Sequence, residues 1–257
     1  MKVLSCNIRY YGGDDGPNAW EERRDLCIQV IAMRRPDLVC LQECWEEQRR
    51  DLLDAFADFD DFGAVDEPEG RHPVNTILYR REAFKPVSRG AFWLSKTPHM
   101  CGSSDWDSAC VRLAAWMRLE ERASGRQLRL VNTHLDHVSQ KARENQARVI
   151  NGEAKAWPEE YPQVLCGDMN CDAANRAIEV LRRDGWRDTY AAVHGEGEPG
   201  HTFHGFLGPN YDSDIGKMDW VFCRGDIEVD AAEIIRDDDG GRLPSDHYFV
   251  GADLRLA

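Results

Sequence analysis

Near the N terminus the chain alternates between apolar runs typical of strands and apolar stripes typical of helices. Residues 2–8 mix β-branched and apolar side chains and lead into a Gly-Gly-Asp-Asp-Gly-Pro loop, which predicts a buried strand and a turn. Over residues 19–35 the apolar positions recur on one helical face until Pro36 ends the pattern. Residues 37–42 then predict a short strand, and residues 46–56 a second helix. This β-α-β-α opening favours a mixed α/β protein.

The middle of the chain has a different pattern. Residues 75–80 predict a short strand, and apolar residues from Val111 to Leu119 then occupy alternate positions. A turn at Ser124-Gly125 follows, and residues 127–133 return as a second strand. This region is therefore predicted to form an antiparallel hairpin and not another βαβ unit.

The C-terminal half returns to alternating helices and strands. Ser139 is in position to cap a helix that runs to about Trp157. The remaining predicted elements are a strand at 164–166, a helix near 173–183, a polar loop over 194–214 and strands at 218–223 and 248–256. Because we find no internal repeat, linker or change in composition, we expect a single domain over residues 1–257.

Two polar regions are interpreted as structural. His201 and His204 flank Thr202-Phe203 in the loop over residues 194–214, and this string could overhang a site. A surface loop is nevertheless the commoner explanation. The acidic run at residues 58–61 is interpreted as a solvated turn.

Composition agrees with a globular protein and excludes several other classes. The 257 residues are 42% hydrophobic and 30% charged, which argues against disorder, collagen-like repeats and coiled coil. No apolar run approaches the roughly 20 residues that cross a bilayer, and residues 1–13 lack the features of a signal peptide. The nine cysteines are an odd number without dense spacing, which indicates reduced and mostly buried thiols. We therefore expect a soluble cytoplasmic protein, although a leader already removed would leave the same sequence.

The charge balance restricts the possible partners. Lys and Arg number 32 against 46 Asp and Glu, which gives a net charge of −14. Proteins that bind nucleic acid mainly through counterion release need an excess of basic residues on one face. Tight, non-specific binding to long DNA is therefore disfavoured, whereas a local site for one phosphate remains compatible with this charge.

Six short strings place polar residues beside predicted strands, where functional sites commonly assemble. They are Ser5-Cys6-Asn7, Leu41-Gln42-Glu43, Asn132-Thr133-His134-Leu135-Asp136, Gly167-Asp168-Met169-Asn170, Lys217-Met218-Asp219 and Ser245-Asp246-His247. Any one of them alone is most often a turn or a cap. Together they would gather carboxylates, amides and imidazoles at strand ends, which predicts a site that handles a metal or a phosphate.

The types of residue in these strings restrict the possible metals and hydrolytic mechanisms. Asn7, Glu43 and Asp246 offer hard oxygen donors, which suit Mg²⁺ or Mn²⁺ and suit zinc poorly. The sequence contains no HExxH zinc motif, no GxSxG nucleophile elbow and no P-loop. The remaining hypothesis is metal-assisted attack of water on an ester.

Taken in order, these strings resemble the endonuclease/exonuclease/phosphatase (DNase I-like) superfamily over nearly the whole chain. The strings that carry the resemblance are NIRY at 7–10, LQE at 41–43, NTHLDH at 132–137, GDMN at 167–170, MDW at 218–220 and SDH at 245–247. Thr202-Phe203-His204-Gly205-Phe206 and two other strings further resemble a bacterial branch of it. The resemblance implies a four-layer α/β/β/α sandwich of two mainly antiparallel sheets, with outer helices and the site at one end of the sheets.

The resemblance, together with the chemistry, implies roles for the metal and catalytic residues. Glu43 and Asn7 would hold Mg²⁺ or Mn²⁺, with Asp246 as a further ligand. The catalytic candidates are His134, Asp168, Asn170, Asp219 and His247. Among them Asp168 would orient or deprotonate the attacking water, and Asn170 would hydrogen bond to that water or to the phosphate. His134 would donate to a phosphoryl oxygen.

His247, oriented by Asp219, would be a second donor or a general acid/base, and such an imidazolium stays charged near pH 7. Arg9, Arg112 and Asp136 are the candidate substrate-binding residues. Two of these have equally good structural explanations. Asp136 could cap the following loop, and Arg112 could form a salt bridge within the hairpin.

The leading hypothesis is a Mg²⁺- or Mn²⁺-dependent hydrolase of phosphoesters, either a phosphatase or a phosphodiesterase. Because of the net charge, we expect a phosphorylated small molecule or a lipid head group as substrate in preference to long nucleic acid. Two alternatives remain: a nuclease that acts on DNA or RNA, and a non-catalytic module that binds a phosphorylated ligand. The sequence does not indicate an oligomeric state.

Overall fold

The computed structural model describes residues 1–70, 72 and 74–257 as two six-stranded sheets with accompanying helices. In chain order these elements are β1 (Lys2–Asn7), α1 (Trp20–Met33), β2 (Leu38–Gln42), α2 (Glu46–Ala55), β3 (Phe59–Phe62), β4 (Asn75–Arg80), β5 (Phe84–Trp93), β6 (Leu113–Glu121), β7 (Gln127–His134), α3 (Gln140–Ala154), β8 (Gln163–Asp168), α4 (Arg176–Arg183), β9 (Arg187–Asp188), α5 (Thr189–His194), β10 (Asp219–Arg224), β11 (Ile227–Ile235) and β12 (Phe249–Leu256). None of the helices in the described residues combines the length and apolar character required to cross a membrane.

The two sheets have the same kind of strand pairing. The first has the order β11-β12-β1-β2-β4-β3 and the second the order β5-β6-β7-β8-β10-β9. Each contains one parallel pair, β1/β2 in the first sheet and β7/β8 in the second, and the other pairs are antiparallel. The predicted α/β fold with two mainly antiparallel sheets is therefore confirmed.

Three buried apolar clusters separate the four layers. The cluster between the sheets contains side chains from both of them, including Val3 of β1 and Val164 of β8. A second cluster, which includes Val30 of α1, joins α1 and α2 to the first sheet. A third joins α3 and α4 to the second sheet, with Ile150 on the buried face of α3. The layer order is thus the α/β/β/α arrangement that the family resemblance implies.

Strand prediction succeeds inside the sheets and fails at their edges. All eight interior strands are predicted, and the four strands that are missed, β3, β5, β9 and β11, lie at the sheet edges. The interpretation of residues 58–61 as a solvated turn is wrong, because residues 59–62 form β3. Phe59 and Asp61 are both buried, and Asp61 accepts a hydrogen bond of 2.8 Å from Arg49 of α2. The strand is not predicted because one of its buried positions is occupied by an acid, Asp61, which is paired with Arg49 and breaks the apolar pattern.

A buried polar contact connects the two sheets below the strand ends. The Nδ2 group of Asn132 on β7 donates to the carbonyl oxygens of Leu41 and Thr76, at 2.9 and 3.0 Å. Its Oδ1 accepts a hydrogen bond of 2.7 Å from Nε2 of Gln42. Asn132 and Gln42 have no exposed surface, so these bonds form within the core. The contact fixes the strand ends of one sheet against those of the other.

Replacing Asn132 by Leu is expected to lower the free energy of unfolding by about 2–4 kcal/mol, because the Gln42 amide loses its shortest hydrogen bond and the buried carbonyls of Leu41 and Thr76 lose the Asn132 donor. Urea unfolding followed by circular dichroism measures this loss. Asn145→Leu on the partly exposed side of α3 serves as the control, with an expected change below about 0.5 kcal/mol. An Asn132→Leu variant as stable as the control would contradict the role assigned to this contact.

Candidate active site

A pocket of about 700 Å³ opens at one end of the two sheets. Its lining includes Glu43, His134, Asp168, Asp246 and His247. A second cavity, of about 760 Å³, lies at the opposite end of β8 and β10 and contains none of the predicted site residues. We therefore take the first pocket as the candidate active site.

Strand register explains why the predicted residues meet. His134 ends β7 and lies opposite Asp168 at the end of the parallel strand β8, and Asp168 in turn lies opposite Asp219 at the start of β10. In the other sheet Asn7 ends β1, and Glu43 directly follows β2. Parallel neighbours end at the same edge of a sheet, so the polar residues that follow them converge.

His247 is held between two carboxylates. Its Nδ1 is 2.8 Å from Oδ2 of Asp219, and its Nε2 is 3.7 Å from Oδ2 of Asp168. Burial opposes a charge on this imidazole, but the neighbouring Asp219 and Asp168 outweigh it and raise the pKa of His247 well above its usual value. The two carboxylates therefore favour the imidazolium form of His247.

His134 has the opposite protonation state. Its Nε2 lies 3.4 Å from Oδ2 of Asp168. His134 is on β7, which pairs with β8 on the side opposite β10. Burial, assisted by the positive charges of Arg112 and His247, lowers the pKa of His134 well below its usual value. The pocket thus contains one neutral and one charged imidazole, both directed at Asp168.

The Asp168 carboxyl has a pKa close to neutral pH. It is 1% exposed, accepts a bond of 3.0 Å from Nδ2 of Asn7 and accepts another of 2.8 Å from the backbone N–H of Asn170. Burial and the charge of Asp219 raise its pKa to about 7. A carboxyl of this kind can accept a proton at physiological pH far better than an ordinary aspartate.

Three residues that border the site have left-handed backbone conformations. Arg9, Glu43 and Asn170 have φ angles of 53°, 59° and 49°. Non-glycine residues seldom adopt this region, and such strain concentrates at functional sites. Each of the three lies one or two residues beyond the end of a strand, so the turn it makes brings its side chain into the pocket lining.

Two of the three residues predicted to hold a metal are in direct contact, and Glu43 and Asp246 both line the pocket. Nδ2 of Asn7 is 3.1 Å from Oε1 of Glu43, and Oδ1 of Asn7 accepts the backbone N–H of Arg9 at 3.1 Å. Burial raises the pKa of Asp246, as does the negative charge of Glu43. A divalent cation would relieve this concentration of negative charge, and an all-oxygen donor set suits Mg²⁺ or Mn²⁺. The residues present therefore fit such an ion.

Geometry alone offers another metal-binding group. Asp168, Asp219 and His247 each have a potential ligand atom, and these atoms lie within 4.8 Å of one another. However, Nδ1 of His247 is already hydrogen bonded to Asp219, and the neighbouring carboxylates raise the pKa of this imidazole and so favour its protonated form. An imidazolium has no free lone pair for a metal. This group is therefore the candidate catalytic cluster, and the oxygen donors are the candidate metal site.

The three candidate substrate-binding residues have different positions. Arg9 lines the pocket, but its guanidinium donates two bonds to Asp15, at 3.0 and 2.9 Å. Arg112 also lines the pocket and, among the described residues, forms no ion pair with a carboxylate. Asp136 is fully buried, does not line the pocket and accepts the backbone N–H of Ala109 and Ser139. The structure thus brings two of the three to the pocket and gives Asp136 a loop-capping position.

Residues from the loop over 194–214 reach the site, which the sequence analysis gave as the less common alternative to a surface loop. Thr202 and His204 have no exposed surface, so the interpretation of this segment as a surface loop is wrong for them. Phe203 and Tyr211 line the pocket, and the Phe203 ring packs against His247 at 5.0 Å between centroids. The only signal for this placement was the string that starts at Thr202 and resembles a bacterial branch of the family.

Replacing Asp168 by Asn is expected to stabilise the metal-free protein by about 1–3 kcal/mol at pH 8. The folded-state pKa of about 7 lies above the usual 3.8, so the folded state binds more protons between these values. Stability therefore falls as the pH rises through this window, and the penalty is fully present above pH 7. The gain should shrink at pH 4.5, where the carboxyl is protonated.

Urea unfolding in EDTA at both pH values measures this difference. Asp25→Asn is the control, because the Asp25 side chain is 88% exposed and its charge carries no such penalty. An Asp168→Asn variant that is less stable than the parent at pH 8 would contradict the predicted cost of keeping the Asp168 carboxylate ionised in the folded state.

The chain is similar to known proteins along its length. Residues 4–247 match the model of the endonuclease/exonuclease/phosphatase family. An endonuclease/exonuclease/phosphatase from Bacteroides vulgatus is 30% identical, with a TM-score of 0.90 and coverage of 100% of this chain and 99% of that one. A mannosyl-6-phosphatase from Bacteroides thetaiotaomicron is 26% identical, with a TM-score of 0.88 and coverage of 99% of both. A stretch of 162 residues, 60% of this chain, is 26% identical to Nocturnin from Drosophila melanogaster and spans 24% of that protein.

These similarities agree with the site. The family match begins before Asn7 and ends at His247, so it contains all the candidate catalytic and metal-binding residues. The similarity to these solved structures extends over the whole fold and is not limited to one motif. The resemblance carried by six short strings is confirmed, and the chain belongs to the endonuclease/exonuclease/phosphatase family.

Proposed function

We propose that the chain is a Mg²⁺- or Mn²⁺-dependent hydrolase of phosphoesters that acts on small phosphorylated molecules. The observation that carries this proposal is the pair of buried imidazoles of His134 and His247, whose Nε2 atoms lie 3.4 and 3.7 Å from Oδ2 of Asp168 and whose pKa values are shifted in opposite directions. Phosphoester hydrolysis requires a proton acceptor for water and donors for the phosphoryl oxygens. One pocket supplies both kinds of group.

Asp168 is the group best suited to activate the attacking water. With a pKa of about 7 it is partly ionised at neutral pH and is basic enough to take a proton in the transition state. Its bonds from Asn7 and from the Asn170 backbone keep the carboxyl in one orientation. Asn170 lines the pocket beside it and would hydrogen bond to the water or to the phosphate.

The imidazoles serve the phosphoryl group. His134 donates a neutral N–H to one phosphoryl oxygen, and the His247 imidazolium donates a charged hydrogen bond to another. Asp219 keeps His247 charged and oriented through the 2.8 Å bond to Nδ1. Because negative charge grows on these oxygens during the reaction, the charged donor binds the transition state more strongly than the substrate.

Cations complete the site. Asn7, Glu43 and Asp246 would hold Mg²⁺ or Mn²⁺, which when bound acts as a Lewis acid toward the phosphoryl group. Arg112 has no carboxylate partner among the described residues, and its Nη2 contacts only the imidazole Nδ1 of His137 at 3.2 Å, so its charge is available to bind the phosphate. Arg9 stays paired with Asp15 and lies 3.9 Å from Asp246, so it balances the charge of the acidic group.

Pocket shape and charge support a small substrate. A volume of about 700 Å³ accepts a phosphate together with a ring-sized leaving group, and aromatic residues such as Trp45 and Tyr211 form its walls. The net charge of −14 opposes a long polyanion. The Bacteroides thetaiotaomicron relative is named as a mannosyl-6-phosphatase, which supports a sugar phosphate as the first substrate to test.

Purified protein is assayed with p-nitrophenyl phosphate, bis-p-nitrophenyl phosphate, a series of hexose 6-phosphates and a labelled oligonucleotide, in Mg²⁺, Mn²⁺ or EDTA. We expect metal-dependent release of phosphate from the small monoesters and its loss in EDTA. Hydrolysis that persists in EDTA would exclude the metal-dependent mechanism. Preferred cleavage of the oligonucleotide at physiological salt would favour the nuclease, and ligand binding by calorimetry without turnover would favour the binding module.

A further inference from the structure

Thr202 contacts the strand that carries Asp219. The Thr202 side chain has no exposed surface, and its Oγ1 accepts the backbone N–H of Met218 at 2.9 Å and of Asp219 at 3.1 Å. Met218 directly precedes β10, and Asp219 is the first residue of that strand. One hydroxyl therefore fixes the backbone from which the Asp219 side chain projects.

The same segment also pairs with the chain around His247. The Tyr248 N–H donates to the Thr202 carbonyl at 2.8 Å, and the His204 N–H donates to the Asp246 carbonyl at 2.8 Å. Phe203 and His247 form an antiparallel backbone bridge. Residues 202–204 thus act as a short extra strand along the chain that carries Asp246 and His247.

This double attachment has a geometric consequence for the site. Asp219 begins β10 of the second sheet, whereas His247 precedes β12 of the first sheet. The hydrogen bond between Asp219 and His247 therefore joins two sheets, and the pairing within either sheet does not set its length. The Thr202 hydroxyl accepts the N–H of Asp219 itself, and the Thr202 carbonyl accepts the N–H of Tyr248, the residue that follows His247.

We propose that Thr202 is a positioning residue that sets the distance between Asp219 and His247 across the two sheets. This inference rests on the proposed function, since it assigns Thr202 a role in the same reaction. Thr202 touches neither substrate nor metal in this role. It acts through Asp219, and small errors in the placement of a catalytic group can cost a large factor in rate.

The test compares Thr202→Val with Thr202→Ser. Valine has nearly the shape of threonine but offers no acceptor to the two N–H groups, whereas serine keeps the hydroxyl. We expect kcat for p-nitrophenyl phosphate to fall by about 10- to 50-fold in the valine variant, with KM changed less than about threefold. The serine variant should stay within about threefold of the parent.

Thr189→Val is the matched control. Thr189 is also buried, and its Oγ1 donates to the carbonyl of Val221, two residues farther along the same strand β10. This variant loses a comparable hydrogen bond without contacting Asp219 or His247, so kcat per folded molecule should not change. If Thr202→Val does not fold, Thr202→Cys replaces it, because a thiol is a weak acceptor and should give an intermediate loss.

A double-mutant cycle identifies the route of the effect. If Thr202 acts through Asp219, then Thr202→Val should lower kcat further by less than about twofold once Asp219→Asn is already present. Equal losses in the two backgrounds would overturn the proposal. So would a folded Thr202→Val enzyme with kcat within about twofold of the parent.

An NMR measurement separates this inference from the proposed function. The Nδ1–H proton of His247, bound to Asp219, should give a downfield resonance that disappears in His247→Gln. We expect it to be lost or shifted in Thr202→Val and unchanged in Thr189→Val. If no phosphoester is hydrolysed but the resonance behaves in this way, the proposed function fails and the positioning role stands. An unchanged resonance in Thr202→Val would overturn the positioning role.

Discussion

Replacing His247 by Gln is expected to lower kcat for phosphoester hydrolysis by about 10³-fold. Glutamine can still donate a hydrogen bond to Asp219, but it carries no charge and cannot release a proton. The side chain of His247 is 5% exposed, so water cannot replace the missing donor at the phosphoryl oxygen. The loss should appear mainly in kcat, because the charged hydrogen bond is strongest in the transition state.

Steady-state kinetics in saturating Mg²⁺ measure this effect, with circular dichroism to verify the fold. His99→Gln is the control, because the His99 side chain is 76% exposed and lies outside the pocket lining. Asp219→Asn should lower kcat by a smaller factor, about 10- to 10²-fold, since the imidazole stays in place while its charge is less favoured. A His247→Gln enzyme within tenfold of the parent would remove His247 from the reaction.

The strands that the sequence predicts are those that pack on both sides. β1, β2, β8 and β10 lie inside their sheets, and apolar residues on both faces give them continuous apolar runs. β5 faces solvent along most of its length, contains Pro86 and has a register shift beside it. Edge strands carry such features because they must resist pairing with other chains. The apolar pattern therefore predicts the sheet interiors and not their edges.

The site could be predicted where its residues end strands. His134, Asp168 and Asp219 lie in register on three neighbouring strands, so their convergence follows from topology once the fold is known. The partners of other residues could not be predicted. The pairing of Arg9 with Asp15 depends on how the loop after β1 folds back, and the contact of Thr202 with Asp219 depends on a loop of irregular conformation.

The net charge of the protein differs from the distribution of charge in the pocket. The net charge of −14 gave no reason to expect a phosphate-binding pocket. The structure places the charged imidazole of His247 and the guanidinium of Arg112 in the pocket lining, beside the buried carboxyls. The overall acidity therefore does not describe the local charge of the pocket.

Replacing Glu43 by Gln is expected to weaken Mg²⁺ and Mn²⁺ binding by at least about 10- to 100-fold and to lower kcat/KM at limiting metal by about 10³-fold. Glu43 contributes a full negative charge, and its left-handed backbone and its bonds from Asn7 and from the Tyr10 N–H fix its position. Glutamine keeps the shape but halves the charge that Glu43 and Asp246 bring to the ion. Charge is the main determinant of affinity for hard cations, so the conservative substitution should still be severe.

Calorimetric titration with Mn²⁺ and thermal unfolding with and without Mg²⁺ measure the loss without reference to activity. Metal that binds only the folded state should raise the unfolding free energy of the parent by about 2.7 kcal/mol at 100 times the Kd. The Glu43→Gln variant should show much less stabilisation at the same concentration. Glu22→Gln on the exposed face of α1 should behave as the parent does, because its charge lies outside the pocket lining. If Glu43→Gln bound Mn²⁺ as tightly as the parent, the metal would have to lie elsewhere, and the group of Asp168, Asp219 and His247 would become its site.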